Sequence, residues 1–369
     1  MRRKDKTSRQ LIIKAVDFFC GVGGVTRGLL DAGIDVICGV DNDPSAKQAF
    51  EQNNIRPNGQ HVEFLERDIN HLSFKDISLR LKAEKYDRLI FVGCAPCQPF
   101  TNINTAKDKT RNQTNYLLRF ADFVEHFKPD FLFIENVPGI TAPKYGGILG
   151  IFKERLRTLG YLSSDTNVNA KNYGIPQNRN RRILIASKHG PVSFPSPTHG
   201  QGKLDYVTIY DVLNQHRLAP LAAGESDNTD SLHRAASLNE TNLWRIQNTC
   251  KDGGGRDLWM KKKPVECFER HKDSYKDVYN RMYWKRPAPT ITTRFNSLSN
   301  GRFGHPEEDR AISLREGALF QTFPMDYNFS GSMVNIAKHI GNAVPVELAK
   351  IFGLHFVNLA NKEHQNELH

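Results

Sequence analysis

Cysteine is scarce. Six in 369 residues are too few for the disulfide framework that staples small secreted domains, so a reducing cytoplasm is expected. No apolar run approaches the length needed to span a bilayer, and the early basic residues Arg2, Arg3, Lys4, Lys6 and Arg9 are not followed by the apolar core of a signal peptide. There is no second C-x-x-C and no paired Cys/His cluster beside Cys94-Ala95-Pro96-Cys97, so a zinc site lacks further ligands and no metal is expected. Internal repeats and low-complexity blocks are missing too. One glycine is also missing: Gly21-Val22-Gly23-Gly24 lacks the third glycine of the dinucleotide turn, which disfavours NAD. The charge is lopsided instead. Lys and Arg number 51 against 40 Asp and Glu, a net +11, and that favours a polyanionic partner, nucleic acid first.

The chain is organised around Ile90-Phe91-Val92-Gly93-Cys94-Ala95-Pro96-Cys97-Gln98-Pro99-Phe100-Thr101. An apolar, β-branched run breaks at Gly93 and two prolines, which reads as a buried strand entering a rigid loop. Pro96 and Pro99 fix φ on either side of Cys97. A thiol just past the end of a central strand sits where open α/β sheets do their chemistry. Two other readings compete. A free cysteine can pack as a small hydrophobe, and C-x-x-C can exchange disulfides. The flanking prolines argue against the first, and the several strand–helix units that precede the motif argue against the second. Cys97 is the expected nucleophile.

In chain order, Ala15–Phe19 reads as a strand entering the glycine-rich turn, and Val25–Ala32 as a helix that stops at Gly33. Strand, glycine turn and helix form a nucleotide-binding geometry. The strand Asp35–Val40 ends at Asp41-Asn42-Asp43, and Pro44 opens a helix. Asp41 is placed to accept ribose hydroxyls while Asp43 caps. Asp68, at a third strand end, suits an adenine amino group or is a plain turn residue. Helical spacing recurs from Tyr116 to Phe127, followed by the apolar strand Phe131–Glu135. Glu135 there is a second chemical candidate, since buried carboxylates are paired or functional. Arg179 and Arg181 alternate onto one face, able to hold substrate, phosphate or Glu135. From Gly190 to about Asp326 the alternation of strands and helices is lost. Ser313-Leu314-Arg315-Glu316 is a capping box, and a C-terminal helix runs to about Asn361.

Six pieces in order resemble the cytosine-5 DNA methyltransferase family over nearly the whole chain. They are Asp17-Phe18-Phe19-Cys20-Gly21-Val22-Gly23-Gly24, Pro96-Cys97-Gln98-Pro99-Phe100, Glu135-Asn136-Val137, Gln177-x-Arg179-x-Arg181, Arg286-Pro287-x-Pro289-Thr290-Ile291 and Gly341-Asn342-Ala343-Val344-Pro345. Ala95 stands where many members have proline, Asp41 where glutamate is usual, and Asn42 where a bulky residue often packs on adenine. The resemblance implies an α/β fold, a Rossmann-like mixed sheet of the S-adenosylmethionine-dependent methyltransferases. Residues 1–189, completed by 335–369, would form the catalytic and cofactor domain. Residues 190–334 would form a smaller, irregular target-recognition domain.

It also implies S-adenosylmethionine held by Phe19, Gly21, Gly23, Gly24, Asp41, Asp68, Ile69, Pro96 and Asn342. Cys97 would attack C6 of a flipped cytosine, Glu135 would protonate N3, and Arg179 would bind the base at O2 and help hold the adduct, with Arg181 a further catalytic candidate. Gln98, Arg179, Arg256 and Arg294 are the expected DNA contacts. Arg256, beside three glycines, is placed to reach a base edge or only a phosphate. The partner is double-stranded DNA, with no membrane. The protein is expected as a monomer in the bacterial cytoplasm, beside a cognate restriction endonuclease acting on the same site. The alternatives are a tRNA cytosine-5 methyltransferase, which would use the same parts, and a catalytically dead DNA-binding module, which the presence of Cys97 and Glu135 disfavours. The long basic insertion before Arg286 favours duplex DNA.

Overall fold

A computed structural model describes residues 11–96, 116–142, 147–262 and 276–367. The expected strands join one seven-stranded sheet, which also holds a strand that the sequence did not single out, Leu162–Asn169. β1 (Ile13–Phe18), β2 (Asp35–Asp41), β3 (Glu63–Glu66), β4 (Arg88–Gly93) and β5 (Phe131–Asn136) run parallel. β8 (Asn180–Ser187) runs antiparallel between β5 and β6 (Leu162–Asn169), and the order is β3-β2-β1-β4-β5-β8-β6. β7 (Gln177–Asn178) and β9 (Ala288–Pro289) pair separately. Every residue of β1, β4 and β5 is buried, as strands covered by helices on both faces must be. Strand order reverses between β1 and β4. In open α/β sheets that crevice, at the carboxyl ends of the strands, is where ligands bind.

Helices cover both faces. Those in the first half are α1 (Gly24–Asp31), α2 (Lys47–Asn53), α3 (Phe74–Lys82), α4 (Tyr116–Phe127) and α5 (Ile148–Thr158). Later come α6 (Ile209–His216), α7 (Glu240–Gln247), α8 (Asp257–Met260), α9 (Leu314–Phe320), α10 (Met333–Asn342) and α11 (Val346–Glu367). Alternation along β1 splits the core. Ile13 and Ala15 face α1 and α11, and Val16 and Phe18 face α3, α4 and α5. The start of α11 and the residues just before it meet α1 backbone to backbone. A Cβ on Gly28 would lie 2.4 Å from the Val346 carbonyl oxygen, and one on Gly24 would lie 2.6 Å from that of Val344. These glycines are required by protein packing.

Two expectations change here. Among the described residues one stretch, Met333–Asn366, is long and apolar enough by length and composition to cross a membrane, although no such run was expected from the sequence. It breaks at Ala343-Val344-Pro345 and buries Ile336, Ile340, Phe352 and Phe356 in the core. The segment 190–334 is also not packed apart throughout. Ile209, Leu213, Leu232, Leu314, Phe320 and Tyr327 belong to the same apolar core as the sheet, while a small separate cluster forms around Ile246, Leu298 and Ala311. Buried arginines tie that smaller region together. Arg281, fully buried, donates to the Thr249, His305 and Ile246 carbonyls at 3.1, 2.9 and 2.7 Å. Arg310 pairs with Glu316, which closes the Ser313 capping box.

Candidate active site

A cavity of about 510 Å³ opens at the carboxyl ends of the parallel strands, within the size range of small-molecule sites. Its floor is the turn after β1. Phe19 takes a left-handed φ of 64°, and the amides of Phe19 and Cys20 both donate to the Val40 carbonyl, at 2.7 and 3.1 Å. The β1 and β2 tips are thereby locked together. Asp41 braces the same turn, its carboxylate accepting the Gly21 amide at 2.8 Å and the Asp43 amide at 2.9 Å. Burial raises its pKa above the ordinary carboxylate value, and these amides counter the shift. Lone-pair sites on both oxygens remain for a hydroxyl donor.

Gly21 has φ +50°, and no atom lies within 4 Å of where a Cβ would stand. This bare backbone beside the Asp41 carboxylate is the observation that fits an adenosyl ligand. Phe19, Gly21, Gly24, Asp41, Asp68, Ile69, Pro96 and Asn342 all line the cavity. Gly23 is the exception. It is absent from the cavity wall, and its φ of +91° and a virtual Cβ 2.4 Å from Asn54 Nδ2 explain the glycine by packing.

On the opposite wall, β5 delivers Glu135, 9% exposed. Arg181 Nε stands 2.8 Å from Glu135 Oε1, an ion-pair distance without hydrogen-bond alignment, so Oε1 accepts no hydrogen bond. Next to it, Asn136 donates to the Ala95 carbonyl at 2.9 Å and accepts the Val137 amide. That bond fixes the approach to Pro96. Cys97 and Gln98 lie outside the described residues. Cys94 is a free thiol in the cavity wall. Burial, then the charges of Glu135 and Asp17, push its pKa well above the ordinary thiol value, which disfavours thiolate chemistry there.

Arg179, expected at the base, also lines the cavity, but it is 3% exposed and its terminal nitrogens are engaged by protein carbonyls. It donates to Ile291 at 3.0 Å, to Ala343 at 3.1 Å and, at 3.4 Å, to Gly341. Gln177 accepts the Ile291 amide and donates to Gln321, which in turn donates to the Ile340 and Ala343 carbonyls. Arg179 therefore joins the returning Ile291 strand end to the Gly341–Ala343 wall. Arg181 is the arginine that stands by the acid.

Arg256, expected at a base edge or a phosphate, is 7% exposed, and its amide donates to Asn280 Oδ1 at 3.1 Å. The adjoining glycines serve packing, since a Cβ on Gly253 would fall 1.9 Å from the Tyr283 ring. Arg294 is exposed, two residues beyond Thr292, whose backbone packs on Gly341. Cavity residues that the sequence did not single out include Arg67, Tyr116, Lys338 and His339. The last two adjoin the Gly341-Asn342 motif and follow α10's helical spacing, a signal that was available.

The family model for C-5 cytosine-specific DNA methylase matches residues 13–356. The chain is 40% identical to the Type II methylase M.HgiDII of Herpetosiphon aurantiacus over 91% of this chain and 92% of that one. It is 31% identical to the Type II methyltransferase M1.BsuMI of Bacillus subtilis, over 96% and 83% respectively. Among solved structures, a prophage-encoded protein of E. coli superposes with a TM-score of 0.70 at 21% identity, covering 95% of this chain and 99% of the other. The S. pombe Dnmt2 methyltransferase gives 0.61 at 17%, covering 94% and 99%.

Proposed function

The chain belongs to the C-5 cytosine-specific DNA methylase family, and from that premise we propose how its residues methylate cytosine C5 in DNA. The observation that carries the proposal is the convergence of Glu135, Arg181, Pro96 and the open Gly21 turn on one cavity. S-adenosylmethionine, when bound, supplies an electrophilic methyl group. Phe19, Gly21, Asp41, Asp68, Ile69 and Asn342 hold it. Asp41 takes the ribose hydroxyls, and Asp68 takes the adenine amino group.

Cytosine C5 is too weak a nucleophile to take a methyl group unaided. The Cys97 thiolate, next in the chain after Pro96, adds to C6 and pushes electron density to C5. Glu135 holds and protonates N3, offsetting the charge of the adduct. Arg181 orients the Glu135 carboxyl and takes the O2 role first assigned to Arg179. After methyl transfer a base removes the C5 proton, the C6–sulfur bond breaks to return the thiolate, and the N3 proton goes back to Glu135. Because C6 is closed off within a stacked duplex, the target base is flipped out. The Type II relatives support a further reading, that the protein is the modification half of a restriction–modification pair whose endonuclease cuts the same sequence; we read it as a monomer working in the cytoplasm.

The test uses duplex DNA carrying 5-fluorocytosine at the methylated position, located beforehand by bisulfite sequencing. Fluorine cannot leave as a cation, so the protein becomes trapped on the DNA after methyl transfer. Cys97→Ala must abolish the denaturation-resistant complex and Cys94→Ala must keep it. Trapping by Cys97→Ala would overturn the assignment.

A further inference from the structure

One rim of the cavity is closed by side chains from opposite ends of the chain. α10 contributes Lys338 and His339, and the loop after β2 contributes Asp43 and Ser45. Lys338 Nζ donates to Asp43 Oδ2 at 2.8 Å. Ser45 Oγ donates to Asp43 Oδ1 at 2.6 Å and lies 3.0 Å from His339 Nε2. The hydroxyl has a single proton, given to Asp43, so His339 must be the donor in its own contact. Burial tends to raise the Asp43 pKa, but Lys338 and Ser45 outweigh it and hold the carboxyl at about 2. The ion is thus fixed on this rim. The chain of bonds then runs inward, because the Asp43 amide donates to Asp41 Oδ1 and Asp41 holds the Gly21 amide. Asp41, Asp43, Lys338 and His339 all line the cavity.

The energetics separate a role in folding from a role in binding. The Lys338 side chain is 51% exposed, and exposed ion pairs add little to stability. His339, by contrast, is buried, and among the described residues its ring bonds to no group other than Ser45. A weak surface pair and a buried donor, both aimed at the loop that shapes the Asp41 carboxylate, act on the position of that loop.

We propose that Lys338 and His339 are cofactor-positioning residues, a clasp from α10 that holds the Asp41–Ser45 loop in the form that receives the adenosyl donor. The clasp rests on the reading of this cavity as the S-adenosylmethionine site. Neither residue touches the reacting atoms, so losing the clasp loosens cofactor binding and leaves the chemical step intact.

The test is calorimetric titration of the full-length protein with S-adenosylhomocysteine, alongside steady-state methylation. Lys338→Met and His339→Leu should each weaken binding about threefold to tenfold, the range for losing one hydrogen-bonded contact. KM for S-adenosylmethionine should rise in step, with kcat nearly constant. Lys338→Arg and His339→Gln, which keep the donors, should restore most of the affinity. Should His339→Leu fold poorly, the exposed Lys338→Met still decides. Wild-type affinity in a well-folded Lys338→Met protein overturns the clasp while leaving the cavity reading intact. Failure of the wild-type protein to bind S-adenosylhomocysteine overturns the cavity reading and the clasp with it.

Discussion

Replacing Arg179 by methionine separates two roles that the sequence leaves entangled. Methionine approximates the stem of the side chain and donates nothing. The structure gives Arg179 two well-formed bonds, to Ile291 and Ala343, and two longer ones to Gly341. A hydrogen bond from a charged donor is worth about 1.5–3 kcal/mol. Two such bonds, less the several kcal/mol that burying a guanidinium costs, leave a net loss of about 2–4 kcal/mol once the orphaned carbonyls are included. Burial and the neighbouring Arg181 already pull the Arg179 pKa below its ordinary value, so the bonds must offset a real desolvation cost. Urea denaturation followed by tryptophan fluorescence measures the change, with calorimetry of S-adenosylhomocysteine alongside. Affinity should fall too, because Gly341–Ala343 is a wall of the cavity. Wild-type stability and cofactor affinity with methylation abolished would refute this account and return Arg179 to the base.

Glu135→Gln should keep DNA and cofactor binding but slow single-turnover methylation by about 10²–10⁴-fold, the usual loss for a general acid; a rate within a few fold of wild type would make the residue structural. Gly24→Ala should lower the melting temperature more than Gly21→Ala, since only the first meets a carbonyl at 2.6 Å, while Gly21→Ala should instead weaken S-adenosylhomocysteine binding; the reverse order would refute the packing account. Burial raises the Asp17 pKa to about 7, opposed by the Thr26 hydroxyl and assisted by Asp41. The folded protein therefore holds a proton there that the unfolded chain releases near pH 4, and this contribution to stability is lost as pH rises from about 4 to about 7. Asp17→Asn should flatten that part of the stability–pH curve, and an unchanged slope in urea melts would refute it. Arg256→Ala should lower stability and leave the methylated sequence unaltered in bisulfite profiles; a relaxed preference at one base would put Arg256 back at the DNA.

Local chemistry was legible wherever one segment carried it alone. The capping box at Ser313 and Glu316, the Asp43 cap ahead of Pro44 and the left-handed stop at Gly33 all formed as their residues dictate. The carboxylate at the end of the Phe131–Asn136 strand could be read because burial of an acid is costly and rarely idle. What could not be read depends on contacts across more than a hundred residues. Nothing local distinguishes Arg179 from Arg181. The difference is made by the carbonyls of Ile291, Gly341 and Ala343, which only the folded chain brings within reach. Arg256 is ambiguous at shorter range. Glycines next to an arginine suit a DNA-reading tip as well as they suit close packing on Tyr283, and the aromatic ring that decides lies thirty residues downstream. The Asp43–Lys338 bond spans nearly the whole chain, so no window of sequence contains it.

The close seating of α11 and the turn before it on the glycines of α1 has a consequence in time. A ribosome releases the Gly21 turn and the Asp41 tip roughly three hundred residues before it releases His339 to Val344. At about 5–20 residues per second, the first half of the donor cavity waits many seconds for its other wall. Through that interval the nascent chain carries the acid, the arginine pair and the glycine turn but has no enclosed place for the cofactor. Methylating competence thus arrives as one late event, when the final helices dock and the two ends of the polypeptide meet.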